Sequence, residues 1–147
     1  MHRSMGLDIG DKRIGVSLSD PSRILASPLT TIIRNSDEQA ISDIMEIVIK
    51  YQVDQIIIGL PYSLNGNIGR QACKVMEFKE KLSQSIEADF VMQDERLSSV
   101  SADQRLREAG KKGNKLKSGM DAAAAAIILQ SYLDETGQRD SSLQTDR

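Results

Sequence analysis

The segment Met5 to Asp20, MGLDIGDKRIGVSLSD, restricts the fold more than any other part of the chain. Met5, Leu7 and Ile9 alternate with Gly6, Asp8 and Gly10, and Ile14, Val16 and Leu18 alternate with Arg13, Gly15 and Ser17. Period-two alternation marks half-buried strands, and Gly10, Asp11 and Lys12 between the two runs provide a tight turn. A chain that opens on such a hairpin starts an antiparallel sheet. After Pro21, the segment Ile24 to Ile33 reads as a third strand. Pro28 within it has no N–H for a ladder, so this strand is expected to be bulged or at an edge.

The pattern then changes. Ser36 or Asp37 caps a helix whose Ile41, Ile44, Met45 and Val48 fall at helical spacing, and VDQIIIGLP supplies a buried strand ending at Gly59. The loop PYSLNGNIG leads to a helix from Arg70 to Ile86 and a short strand at Phe90 to Met92. Two successive βα units require parallel pairing in part of the sheet. A helix from Ser99 to Ala109, a basic loop and a last helix from Met120 to Glu135 follow, and 136–147 read as a flexible tail to a single domain over 1–135. The expected fold is α/β: a mixed five-stranded sheet, three antiparallel strands then parallel strands, flanked by helices.

Composition narrows the function. With 147 residues, 39% apolar, 27% charged and a net charge of -2, the chain suits one globular domain and neither a disordered segment nor a strongly basic binder. The average hides an asymmetry, because RLREAGKKGNKLK, from Arg105 to Lys117, carries six Lys or Arg against one Glu. A single cysteine forms no internal disulfide, and the longest apolar run, Ala122 to Leu129, is far short of a bilayer span. A soluble cytoplasmic protein with no membrane partner is expected.

Three acidic positions carry the chemistry. Asp8 lies between Gly6 and Gly10, which either leave room above it for a ligand or both serve the turn. Asp121 heads a helical stripe of Ala124, Ala125, Ile128, Leu129 and Tyr132 that aims it at the sheet, although Ser118 and Asp121 also fit an S-x-x-D cap. Asp94 and Glu95 occupy the C-terminal end of a parallel strand, where ligand crevices open. Alternation turns one of them inward, and spacing does not choose which. Two carboxylates about 4 Å apart repel by about 4 kcal/mol at a surface-like dielectric, so a cluster of acids calls for cations. With one His and one Cys in the chain, oxygen ligands for magnesium or manganese are the consistent chemistry, not zinc. His2 reads as a terminal residue and Cys73 as a small core residue of a helix.

Four blocks in order, GLDIGDKRIGVSLSD, IIIGLPYSLNGNIGRQ, DERLSS with LREAG, and MDAAAAAIILQSYLD, resemble the YqgF family, the Holliday-junction-resolvase-like or pre-16S ribosomal RNA nucleases of bacteria. The resemblance covers about residues 5 to 135. It implies a ribonuclease H-like fold and an acidic triad of Asp8, Glu95 and Asp121 that binds Mg2+ or Mn2+, which selects Glu95 over Asp94. It also implies that Lys12 and Arg13 lie beside the substrate phosphates. By the same resemblance Asn65, in the loop from Pro61 to Gly69, is expected to border the cleft and Arg96 to join the nucleic-acid contacts. Lys111, Lys112, Lys115 and Lys117 precede the helix of Asp121 and read, beside that site, as a phosphate clamp.

The implied activity is phosphodiester hydrolysis that matures the 5′ end of 16S rRNA, the alternative being resolution of branched DNA. The implied partners are structured RNA precursors or branched DNA and pre-ribosomal particles, with the chain a monomer or a homodimer. Tyr62 and Ser99 stand where the family more often has Leu and Thr. Two Phe, three Tyr and no Trp offer few stacking platforms, so backbone charge and shape are expected to govern binding. Two rivals share these residues. LDIGDKRIGV also resembles the phosphate loop of the actin, Hsp70 and sugar-kinase superfamily, whose nucleotide site needs a second domain that 147 residues cannot supply. A non-catalytic nucleic-acid-binding module would not require all three acids.

Overall fold

The computed structural model describes residues 2–60, 69–94 and 114–145. β1 (Arg3–Ile9) and β2 (Arg13–Ser19) form the expected antiparallel hairpin, with Asp8 opposite Gly15 and Ile9 opposite Ile14. β3 (Ala26–Ile33) pairs antiparallel with β2. Val16 pairs with Thr30 and Ser17 with Pro28, so Leu29 is skipped, and the strand is both bulged and at the sheet edge. Pro28 therefore interrupts no interior ladder.

α1 (Asp37–Tyr51) returns the chain to β4 (Val53–Leu60), which lies parallel to β1. Of its two candidate caps, Ser36 acts. Its Oγ accepts the Gln39 amide at 3.1 Å while Gln39 Oε1 accepts the Ser36 amide at 3.4 Å, a reciprocal capping box. α2 (Arg70–Ser85) crosses to β5 (Asp89–Asp94), parallel to β4, and α3 (Asn114–Thr145) ends the described chain. The sheet order is β3-β2-β1-β4-β5. The α/β class and the mixed five-stranded sheet expected from the sequence are both present.

Alternation gives the sheet two unlike faces. Met5, Leu7, Ile14, Val16, Ile56 and Ile58 bury one face against Ala40, Ile44 and Val48 of α1 and Val75, Phe78 and Leu82 of α2. The other face packs on α3 through a smaller apolar cluster of Ile57, Ile128, Leu129 and Leu133. Its remaining positions are small or polar, and Ser4, Ser17, Ser19 and Gln93 are buried there.

Several boundaries differ from the sequence reading. β5 extends to Asp94 rather than stopping at Met92. The last helix starts at Asn114, not Met120, because Lys115, Leu116 and Lys117 are good helix formers and no proline intervenes. Ser118 consequently lies inside the helix, which removes it as an N-terminal cap and corrects the capping alternative for Asp121. At the other end the helix continues past Glu135 through Thr145. Cys73 is exposed rather than in the core, since α2 buries Ala72, Val75, Phe78 and Leu82 and turns position 73 outward. The loop over 61–68 and the helix expected from Ser99 to Ala109 lie outside the described residues. Among those residues, no helix is long and apolar enough to cross a membrane.

Candidate active site

The site begins with two glycines that allow a helix to lie on a sheet. Gly15, the cross-strand partner of Asp8, has no room for a side chain, because a Cβ there would sit 1.8 Å from the Asp121 carbonyl oxygen. At Gly6 a Cβ would lie 2.4 Å from Ser17 Oγ and 2.6 Å from the Ala125 carbonyl oxygen. Between these close approaches Ser17 Oγ donates to the Ala125 carbonyl at 2.8 Å, fully buried. Four helical residues rise about 6 Å and two strand residues about 6.6 Å, so Asp121 and Ala125 index onto Gly15 and Ser17. Asp121 is thereby lodged over the strand neighbour of Asp8, with the alanine run allowing the close contact.

Both sequence readings of the glycines around Asp8 are thus corrected. Gly10 serves the turn: its amide donates to the Arg13 carbonyl at 2.9 Å, and a Cβ would meet that same oxygen at 2.8 Å. Gly6 instead admits the backbone of α3. Asp8 itself is half-buried on the α3 face near the C-terminal end of β1.

Arg13 shares that face and closes the arrangement. Its Nε lies 2.9 Å from Asp121 Oδ2, with the two side chains 29% and 21% exposed. Three of the residues singled out in the sequence, Asp8, Arg13 and Asp121, are brought together on this strip. Lys12 is exposed in the turn beside them.

On β5 the alternation fixes the side of Asp94. Gln93 Nε2 donates to Ser131 Oγ at 3.3 Å and to Glu135 Oε1 at 3.4 Å, so Gln93 faces α3, whereas Phe90 and Met92 pack into the opposite core. Asp94, next along the strand, falls on the α1/α2 side, away from Asp8. Glu95, Arg96, Asn65, Lys111 and Lys112 lie outside the described residues. Lys115 and Lys117 belong to the first turn of α3 rather than to a loop. Among the described residues no group of three His, Cys, Asp or Glu stands ready to hold a metal ion. The two acids on the strip are hard oxygen donors, which fit a magnesium-class cation better than zinc.

Behind the β1–β2 turn lies a second polar cluster that the sequence did not reveal. Arg34, just past β3, donates from Nη1 to the Gly10 carbonyl at 2.8 Å and from Nε and Nη2 to Asp37 Oδ1 at 3.2 and 2.9 Å. Lys81 of α2 reaches the other Asp37 oxygen at 2.7 Å. The Lys81 hydrogen bond, followed by that of Arg34, holds the Asp37 carboxyl below its ordinary value, and Asp37 in turn raises Lys81. The one local signal was the i,i+3 spacing of Arg34 and Asp37, which points to a pair but not to the turn.

Residues 2–135 match the family described as RuvX: Holliday junction resolvase. A protein of Dehalococcoides mccartyi named "Putative pre-16S rRNA nuclease" is 49% identical over 128 residues, spanning 87% of this chain and 95% of its own. One of the same name from Clostridium acetobutylicum is 44% identical over 132 residues, covering 90% and 98%. Among solved structures, T. thermophilus RuvC in complex with a Holliday junction substrate is similar at a TM-score of 0.57 and 10% identity, over 90% of this chain and 94% of that one. The fowlpox virus Holliday junction resolvase gives 0.54 at 13% identity, over 91% and 99%. At those identities the likeness is one of fold.

Proposed function

This chain belongs to the RuvX Holliday junction resolvase family, and from that membership we propose that it is a divalent-metal-dependent nuclease that processes the 5′ end of precursor 16S rRNA. The observation that carries the reading is the seating of Asp121 against Gly15, the strand partner of Asp8, with Arg13 on the Asp121 carboxylate. Two acids from distant parts of the chain share one face, where Arg13 pairs with Asp121, and a bound metal cation would offset the negative charge that remains.

Asp8 and Asp121 are the ligands for the metal, with Glu95 as the third. Asp94 on the opposite face of β5 supports assigning that role to Glu95. Magnesium or manganese held there would supply an activated water and charge stabilisation at the departing oxygen. The chain's own groups orient the substrate. Arg13 and Lys12 meet phosphate oxygens at the turn, and Asn65, Arg96, Lys111, Lys112, Lys115 and Lys117 extend the contact along the backbone. An RNA precursor is favoured over branched DNA because the relatives at 44–49% identity carry the rRNA name, whereas the RuvC-like structures share only the fold. The free exposed thiol of Cys73 accords with a cytoplasmic location.

The deciding assay offers an RNA with a 16S-type 5′ extension and a four-way DNA junction to the wild-type chain and to Asp8→Asn, in magnesium, manganese or chelator. Cleavage of the RNA by wild type, abolished by chelator and by Asp8→Asn, is the expected result. Cleavage of the junction alone would transfer the substrate assignment to branched DNA, and an unimpaired Asp8→Asn would remove the acid from the site. In the same assay over a salt series, neutralising Lys111, Lys112 and Lys115 together is expected to flatten the salt dependence of binding. An unchanged slope would dismiss the clamp.

A further inference from the structure

We propose that Arg34 is a positioning residue for cleavage, holding the β1–β2 turn and through it Asp8, Lys12 and Arg13; this rests on the reading of Asp8 as a metal ligand. Each residue of the turn is tied to the body of the protein. The Gly10 carbonyl accepts from Arg34 Nη1 at 2.8 Å, the Lys12 carbonyl accepts from the Arg34 amide at 2.9 Å, and the Asp11 carboxylate lies 3.6 Å from Lys74 of α2. Two of these three ties come from one residue.

The guanidinium is itself fixed on its remaining sides. Its opposite edge is bound by Asp37 at the start of α1, and its face lies 4.5 Å above the Phe78 ring of α2, leaving the side chain 16% exposed. A planar fork of five donors meets these demands together, whereas a lysine ammonium cannot both bridge two acceptors in one plane and stack. A role limited to stapling α1 does not account for the geometry, since the Ser36–Gln39 capping box already serves that helix start and Nη1 points away from it, to Gly10. Gly10 is two residues from Asp8 and three from Arg13. A displacement of about 1 Å at a reacting group can cost about a hundredfold in rate.

The test uses the full chain, the substrate that wild type cuts, and the variants Arg34→Ala and Arg34→Lys. For Arg34→Ala, kcat is expected to fall about 30-fold with KM changed less than about threefold. Arg34→Lys is expected to stay equally slow. Millimolar methylguanidinium, which matches the group that truncation removes from between the Gly10 carbonyl, Asp37 and the Phe78 ring, should restore about tenfold to Arg34→Ala and nothing to wild type.

Amide hydrogen exchange supplies a readout without substrate. The amides of Gly10 and Arg34 should exchange about tenfold faster in Arg34→Ala while the Leu7 amide is unaffected. Wild-type kcat in a variant whose turn amides have loosened would overturn the proposal, as would equal acceleration at Leu7, which would make Arg34 a general staple of the fold. If wild type cuts no substrate, the nuclease reading fails, and the exchange measurement still decides whether Arg34 holds the turn.

Discussion

The two faces of the sheet are built from the same strands yet work by different physics. Toward α1 and α2, Met5, Leu7, Ile14, Val16, Ile56 and Ile58 are fully buried and hold the fold by removing apolar surface from water. Toward α3, the intervening positions are Gly6, Asp8, Arg13, Gly15 and Ser17, which contribute little apolar area. There the helix is held by the smaller apolar cluster around Ile57 and Leu129, by close backbone approach and by the bond from Ser17 to Ala125. One face is tolerant in kind, since another apolar residue of similar volume would fill it. The α3 face is not, because glycine is required where a carbonyl would lie 1.8 Å from a Cβ. The small-residue face brings a helix close enough for Asp121 to lie over the strand partner of Asp8, on the side of the sheet with the smaller apolar cluster.

Paired substitutions sharpen this contrast. Asp121→Asn should lower cleavage on the order of a thousandfold with the fold retained. Leu7→Ala should do the reverse, losing about 2–5 kcal/mol of stability in denaturant titration while each folded molecule cuts at nearly the wild-type rate. Comparable activity losses from both would mean that the faces are not separable.

A smaller effect tests the close approach itself. Gly15→Ala should destabilise by about 1–3 kcal/mol through overpacking and also slow cleavage, because the Asp121 backbone must retreat. Ser17→Ala should lose about 1 kcal/mol, the net worth of one buried hydrogen bond, with a milder loss of rate. If Gly15→Ala cuts as wild type does, the seating of α3 does not set the position of Asp121.

The smallest effect belongs to the groove behind the turn. Asp37 is held below its ordinary value of 3.8, so its folded form binds a proton less readily than its unfolded form. Its contribution is complete above about pH 4 and is lost as pH falls through the lowered value. Lys81, raised above 10.5, contributes below that pH and loses its contribution as pH climbs past it. Asp37→Asn should therefore flatten the acid limb of a urea-midpoint profile as pH falls below about 4, by a small amount because the pair is open to solvent. An unchanged acid limb would show that the pair adds nothing to stability.

Much of the fold was legible in the chain. Alternation through Met5–Leu18 gave the hairpin and assigned each residue to a face, Pro28 marked the edge strand, and Ser36 or Asp37 marked the start of α1, with Ser36 the one that caps it. For the site, Asp8, Arg13 and Asp121 were legible as candidates, and the stripe from Asp121 to Tyr132 correctly aimed that acid at the sheet. Three readings failed for local reasons. The last helix, expected from Met120, starts at Asn114; Cys73, a residue type usually buried, falls on the outer side of α2; and the flanking glycines of Asp8 serve two different purposes.

The sequence by itself determined the order of the described elements, the side on which each strand residue points and the acids available for chemistry, because periods of 2 and 3.6 residues are properties of neighbouring peptides. Only the tertiary structure decided that Gly15 receives the backbone of Asp121, that Ser17 bonds a carbonyl 108 residues away, and that Arg34 joins a turn to two helices. Those relations depend on the distance and angle at which separate elements dock, and no local repeat along the chain encodes them.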